Sequence, residues 1–161
     1  KGRMQRHALP SGGLLIDDTY NANPDSARAA IDVLASLPSP RVLVLGDMGE
    51  VGNDGPAMHR EVGEYARACG IDAVFALGDA TRDTVAAFND GHGNDAGNDN
   101  ATRRGVHADR VEDLAPAIRA VRPASVLVKG SRFMRMERVV AALLAGNDPS
   151  NDFLNGTRNA A

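Results

Sequence analysis

One cysteine, no tryptophan, and only two tyrosines and four phenylalanines stand among 161 residues. A single thiol, Cys69, excludes an internal disulfide and points to a reducing compartment. So few aromatics exclude a stacking platform for nucleic-acid bases. An excess of one charge is missing too: 18 basic and 21 acidic residues are interspersed and leave a net charge of −3, which gives no basic footprint for nucleic acid. No apolar run nears the roughly 20 residues that cross a bilayer, so membrane insertion is not expected. The opening Lys1-Gly2-Arg3-Met4-Gln5-Arg6 has no apolar segment behind it, so no signal peptide is expected either. A start on Lys rather than Met suggests a piece of a longer chain.

What is present is enough apolar material for one globular domain with a real core. Leu14-Leu15-Ile16, Val42-Leu43-Val44-Leu45, Ala73-Val74-Phe75-Ala76-Leu77 and Ser125-Val126-Leu127-Val128 are short, continuous apolar runs. The last three end at or near Gly46, Gly78 and Gly130, the pattern of parallel strands buried on both faces. Between them run helical stripes: Ala27, Ala30, Ile31, Leu34; Met58, Val62, Tyr65, Ala66, Cys69; Val111, Leu114, Ala115, Ile118, Val121; and Met136, Val139, Val140, Leu143, Leu144. Asp109 and Glu112 have capping-box spacing before the third stripe. A shorter helix after Asp79 is expected to bury Val85 and Phe88. Strand alternating with helix predicts an α/β fold, a doubly wound, mostly parallel sheet flanked by helices, Rossmann-like. Arg3–His7 and Leu14–Ile16 are expected to pair as an N-terminal hairpin across Pro10-Ser11-Gly12-Gly13. The domain is expected to span residues 1–146, with a Gly-, Asn- and Asp-rich loop insertion at about 90–105. Residues 147–161 are expected to form a disordered tail.

Polar residues collect where these strands end. Ile16 runs into Asp17-Asp18-Thr19-Tyr20-Asn21-Ala22-Asn23-Pro24-Asp25. There Asn23 suits an N-cap, Pro24 the first helical position, and Asp25 the positive end of the helix dipole. The four Asn and Asp side chains from Asp17 to Asn23 exceed what capping needs, and the carboxyl edge of an open α/β sheet is where ligands bind. The competing reading is an ordinary Asx-capped turn. Gly46-Asp47-Met48-Gly49-Glu50-Val51-Gly52 follows the next strand. It is neither a Walker loop nor G-x-G-x-x-G; its spacing favours a plain βα loop over the alternative, glycines admitting a ligand near Asp47 and Glu50. Lys129-Gly130-Ser131-Arg132 either holds an anion or supplies a helix cap at Ser131. His59 and Cys69 lie on or beside a helical stripe. Neither they nor His7, His92 and His107 have metal-ligand spacing, so no metal ligand is expected.

Taken together, DDTYNANPDS, LGDMGEVG, HREVGEYA and VLVKGSRFMRMERVV, in that order, resemble the C-terminal domain of Mur ligases, and the opening KGRMQ resembles the junction that precedes it. The resemblance covers about residues 1–146. It implies an ATP-dependent cytoplasmic ligase of peptidoglycan synthesis that joins D-alanyl-D-alanine to UDP-N-acetylmuramoyl-tripeptide through an acyl phosphate, acting as a monomer. It also implies that the phosphate loop and the Mg2+ ligands lie in a separate central domain, so the domain alone is expected to be inactive. Residue by residue, Arg3 corresponds to an arginine that reaches ATP phosphates on closure. Asp17 or Asp18 corresponds to the ribose-binding aspartate, followed by Tyr20, Asn21 and Asn23. Asp47, Glu50, His59, Lys129, Ser131 and Arg132 match positions on the substrate side, with Phe133 flanking. The alternatives are a stand-alone Rossmann-like nucleotide-binding or oxidoreductase domain and a non-catalytic interaction module. The former lacks its glycine fingerprint here. All of this requires Asp18 and Lys129 to share one rim of the sheet.

Overall fold

The computed structural model describes residues 1–90 and 103–146. A six-stranded sheet is built from β1 (Gln5–Ala8), β2 (Leu14–Asp18), β3 (Arg41–Gly46), β4 (Ala73–Leu77), β5 (Arg104–Ala108) and β6 (Ser125–Lys129). Five helices connect or follow the strands: α1 (Pro24–Ala35), α2 (Gly55–Ala68), α3 (Thr81–Asp90), α4 (Val111–Ala120) and α5 (Glu137–Leu144). The strand order is β1-β2-β6-β3-β4-β5, with β1 antiparallel to β2 and every other pairing parallel. The expected doubly wound sheet and its N-terminal hairpin are therefore both present.

Alternation along each strand splits the core in two. Leu15, Val42, Val44, Phe75, Val126 and Val128 face α4 and α5. Ile16, Leu43, Leu45, Val74 and Leu127 face α1, α2 and Phe88 of α3. Because both faces are covered, the strands read as unbroken apolar runs rather than alternating ones. Fully burying a side chain of this kind contributes roughly 1.5–3 kcal/mol. Across the helix layer, the Tyr65 hydroxyl of α2 donates to Asp32 of α1 at 2.5 Å, and that bond to a carboxylate pushes the phenol up to about 12.

Two local expectations shift. β1 starts at Gln5 rather than Arg3, because Met4 takes a left-handed φ of 49° and leaves strand geometry. The Asp109–Glu112 capping box does not form: the N-cap of α4 is Arg110 without a side-chain cap. Asp109 instead accepts from Arg82 of α3 at 2.8 Å, where a charge pair between elements replaces a local bond. The segment expected as a loop at 90–105 is regular at its ends, since Asp90 closes α3 and Arg104 opens β5. Its remainder, 91–102, and the expected tail, 147–161, lie outside the described residues.

The winding places a rim for chemistry. From β2 the chain crosses by α1 over the position of β6 to reach β3, continues outward through β4 and β5, then returns by α4 to insert β6 between β2 and β3. The direction of winding reverses at β6, so the carboxyl ends of β2, β6 and β3 border a topological switch point. In register, Lys129 lies beside Asp18 of β2 on one side and Leu45 of β3 on the other.

Candidate functional site

At the end of β2 the two aspartates diverge because successive side chains point to opposite faces. Asp17 is buried, and its Oδ1 accepts from the Thr19 amide at 3.2 Å and the Thr19 hydroxyl at 2.7 Å, closing a local turn. Asp18 reaches the rim. Its Oδ2 accepts from Lys129 Nζ at 2.7 Å and its Oδ1 from the Met4 amide at 3.2 Å. Lys129 Nζ also donates to the Asn21 carbonyl at 2.8 Å. The lysine side chain is 4% exposed and the aspartate 14%, so their ion pair is screened far less than a surface pair. The two residues stand 111 positions apart in sequence, and the shared rim that the sequence required is formed.

The loop after β3 is pinned from three directions. Asp47 Oδ1 accepts from the amide of Thr81, the first residue of α3, at 2.9 Å, and the Asp47 carbonyl accepts from the Ser131 amide at 3.1 Å. That carboxylate presses on Gly78, where φ is 109° and a Cβ would fall 2.4 Å from it, so only glycine fits. The Met48 amide donates to His59 Nε2 at 3.1 Å. This leaves His59 Nδ1 to carry the proton, and it donates to the Gly55 carbonyl at 2.7 Å. The ring is fully enclosed, with both nitrogens engaged. Ser131 is buried as well; its Oγ accepts from the Gly49 amide at 2.6 Å and donates to the Ala22 carbonyl at 3.1 Å. Gly130 lets β6 come this close, because a Cβ there would meet Met136 at 2.6 Å and the Gly46 backbone at 3.2 Å.

A second set of side chains faces outward around this ring. The Arg3 guanidinium lies over the Tyr20 ring, 4.1 Å from its centroid, and Tyr20 is about half exposed. Asn21, Glu50 and Arg132 are exposed, and Arg132 stands 3.5 Å from Glu137. Glu50 holds a left-handed φ of 60°. Such a backbone costs an L-residue roughly 1 kcal/mol or more. Phe133 is 65% exposed, with its ring beside Gly49. Asn23 caps α1 in a reciprocal box: its Oδ1 accepts from the Ser26 amide at 2.8 Å, and its own amide donates to Ser26 Oγ at 3.1 Å.

The structure thus gathers all of the sequence-selected residues around one edge but sorts them. Asp17, Asp47, His59, Lys129 and Ser131 bond to the protein itself. Arg3, Tyr20, Asn21, Glu50 and Arg132 present themselves to solvent, and Asp18 lies between the two sets. Sequence reasoning missed the partners that are backbone atoms, namely the Asn21 and Ala22 carbonyls and the Met4, Met48 and Gly49 amides. It also missed the capping of α3 by Asp47. No side-chain signal marks a carbonyl, so these were not legible. Among the described residues no three His, Cys, Asp or Glu side chains converge to hold a metal. A cavity of about 540 Å³ opens at the opposite, amino edge beside Leu9, Ile118 and Leu143, away from every residue just named.

Comparison with known proteins gives a consistent picture. Residues 2–132 match the family model described as Mur ligase, glutamate ligase domain. UDP-N-acetylmuramoyl-tripeptide–D-alanyl-D-alanine ligase of Escherichia coli (strain K12) is 40% identical over 142 residues, which is 88% of this chain and 29% of that protein. A crystal structure of MurF from Acinetobacter baumannii superposes with a TM-score of 0.73 at 29% identity, over 90% of this chain and 30% of that one. MurF from Thermotoga maritima, solved in complex with ADP, shares the fold with a TM-score of 0.71 at 23% identity, over 89% of this chain and 30% of that one. The chain spans about 30% of the length of the relatives it matches.

Proposed function

The chain belongs to the Mur ligase family through its glutamate ligase domain, and on that premise we propose that it serves as the C-terminal domain, residues 1–146, of the ATP-dependent ligase that joins D-alanyl-D-alanine to UDP-N-acetylmuramoyl-tripeptide. The observation that carries this reading is the meeting of Asp18 and Lys129 at 2.7 Å on the switch-point rim, with Arg3 and Tyr20 beside it. A stand-alone dinucleotide-binding domain would need a glycine-rich turn after its first parallel strand, and Asp17-Asp18-Thr19-Tyr20-Asn21 stands there instead.

In this reading Asp18 is the ribose ligand and Asp17 is the support of its turn, because Asp17 is already bonded to Thr19. Arg3 offsets phosphate charge, and Tyr20 holds its guanidinium in place. Asn21 stands with Tyr20 on the nucleotide's turn, and Glu50, Arg132 and Phe133 line the side from which the dipeptide arrives. Asn23, Asp47, His59 and Ser131 set the two loops that carry those contacts. ATP supplies the phosphoryl group that turns the tripeptide carboxylate into an acyl phosphate; the dipeptide amine attacks the acyl carbon and inorganic phosphate leaves. The domain's contribution is position and charge rather than covalent chemistry, which suits a reaction governed by alignment. The Mg2+ ligands are assigned, as the resemblance implies, to the rest of the enzyme. In this reading the enzyme is a cytoplasmic monomer, as the family resemblance implies. No helix among the described residues is long and apolar enough to cross a membrane.

The test separates part from whole. The 161-residue chain by itself is expected to show no ATP hydrolysis and at most weak nucleotide binding by calorimetry. The intact enzyme that carries it should ligate the dipeptide with release of phosphate. Ligation by the isolated chain, or an intact protein that ligates nothing, would overturn the reading.

A further inference from the structure

We propose that Lys129 is a positioning residue for the nucleotide rather than a contact for the incoming dipeptide. The inference rests on the ligase reading above and refines it. Correspondence of motifs puts Lys129 on the dipeptide side of the site, but the geometry sends its ammonium elsewhere.

The side chain leaves the end of β6, is 4% exposed, and delivers Nζ to two acceptors that both belong to the acidic turn after β2. One is the Asp18 carboxylate at 2.7 Å and the other is the Asn21 carbonyl at 2.8 Å. An ammonium has three N–H groups, so two of its donors are committed to the turn that presents Asp18, Tyr20 and Asn21. Asp18 Oδ1 is held independently by the Met4 amide at 3.2 Å, so the carboxylate is fixed at both oxygens. Each oxygen has a second lone pair, and a ribose diol can donate to these without displacing the lysine. Lys129 therefore keeps Asp18 aimed, and keeps the Thr19–Ala22 backbone in the shape that carries the outward-facing Tyr20 and Asn21. A ligand recognised through this turn, the nucleoside part of ATP, depends on Lys129 at second hand. The dipeptide, placed by Arg132 and the loop after β3, does not.

The decisive measurement is a split of Michaelis constants in the intact ligase. Lys129→Met is expected to raise KM for ATP at least 10-fold and leave KM for D-alanyl-D-alanine within 2-fold. Asp18→Asn is expected to do the same, and the Lys129→Met/Asp18→Asn double variant to lose no more than the worse single change, since both remove one interaction. The double variant also guards against misfolding, because it leaves no unpaired charge behind. Its amide spectrum in the 161-residue chain should keep the wild-type pattern outside residues 17–23 and 128–131. A rise confined to the dipeptide KM, or losses that multiply in the double variant, would overturn the proposal while leaving the ligase reading intact. A wild-type intact enzyme without ATP-dependent ligation would overturn both.

Discussion

The inner and outer tiers of the carboxyl rim are made of the same kinds of polar side chain, yet they are used in opposite ways. Lys129, Ser131, His59, Asp47 and Asp17 point into the fold, where each is satisfied by a neighbouring loop or helix. Arg3, Tyr20, Asn21, Glu50 and Arg132 point out; Arg3 lies on an aromatic face, and Arg132 stands near a partly buried glutamate, Glu137. The inner tier spends hydrogen bonds to hold three loops in one arrangement. The outer tier is left free by that arrangement to meet something else. A rim of this kind is preorganised: the loops are positioned before any ligand arrives, so ligand binding need not supply their ordering entropy.

The contrast makes graded predictions. The largest effect is expected at His59. His59→Ala removes a fully buried ring and strands the Met48 amide, at a cost of about 3 kcal/mol. Urea unfolding of the 161-residue chain should show it as a lower midpoint with an unchanged slope. A loss below a few tenths of a kcal/mol would dissolve the distinction between tiers. A smaller step is expected for Ser131→Ala, which leaves the Gly49 amide and the Ala22 carbonyl without their bridge and costs about 1–2 kcal/mol. Amide hydrogen exchange should speed up at Gly49 more than at the strand residues of β3, and equal protection in both forms would argue against the bridge. The smallest effect on stability belongs to Arg3→Ala, at most about 0.5 kcal/mol, because the group is exposed. In the intact enzyme the same change should lower kcat more than it raises KM, since the phosphate contact is expected only on closure. An unchanged kcat would remove Arg3 from the site.

Much of the fold was legible because its signals are local. Val42–Leu45, Ala73–Leu77 and Ser125–Val128 announce strands covered on both faces. Ala27, Ala30, Ile31 and Leu34 announce the buried stripe of α1, and Asn23-Pro24 announces its start. The capping box before α4 was misread for an instructive reason. Asp109 and Glu112 have the right spacing, but Arg82, brought close by α3, gives Asp109 a charged partner, and no side-chain cap forms at the start of α4. Among the rim residues, the sequence could name Asp17 and Asp18 together but not separate them. The separation follows from which oxygens Thr19, Met4 and Lys129 reach.

By itself, then, the order of residues determined which segments are strands and helices, where each turn is acidic or basic, and which polar residues end up at strand ends, because periodicity, capping and backbone preference act over a few neighbours. Only the tertiary structure decided which of those polar residues look inward. That choice depends on β6 returning to lie between β2 and β3, where it pairs with β2 across more than a hundred residues of sequence. It depends also on carbonyls and amides whose direction no side chain encodes, and both are settled by packing of the whole sheet rather than by any stretch of it.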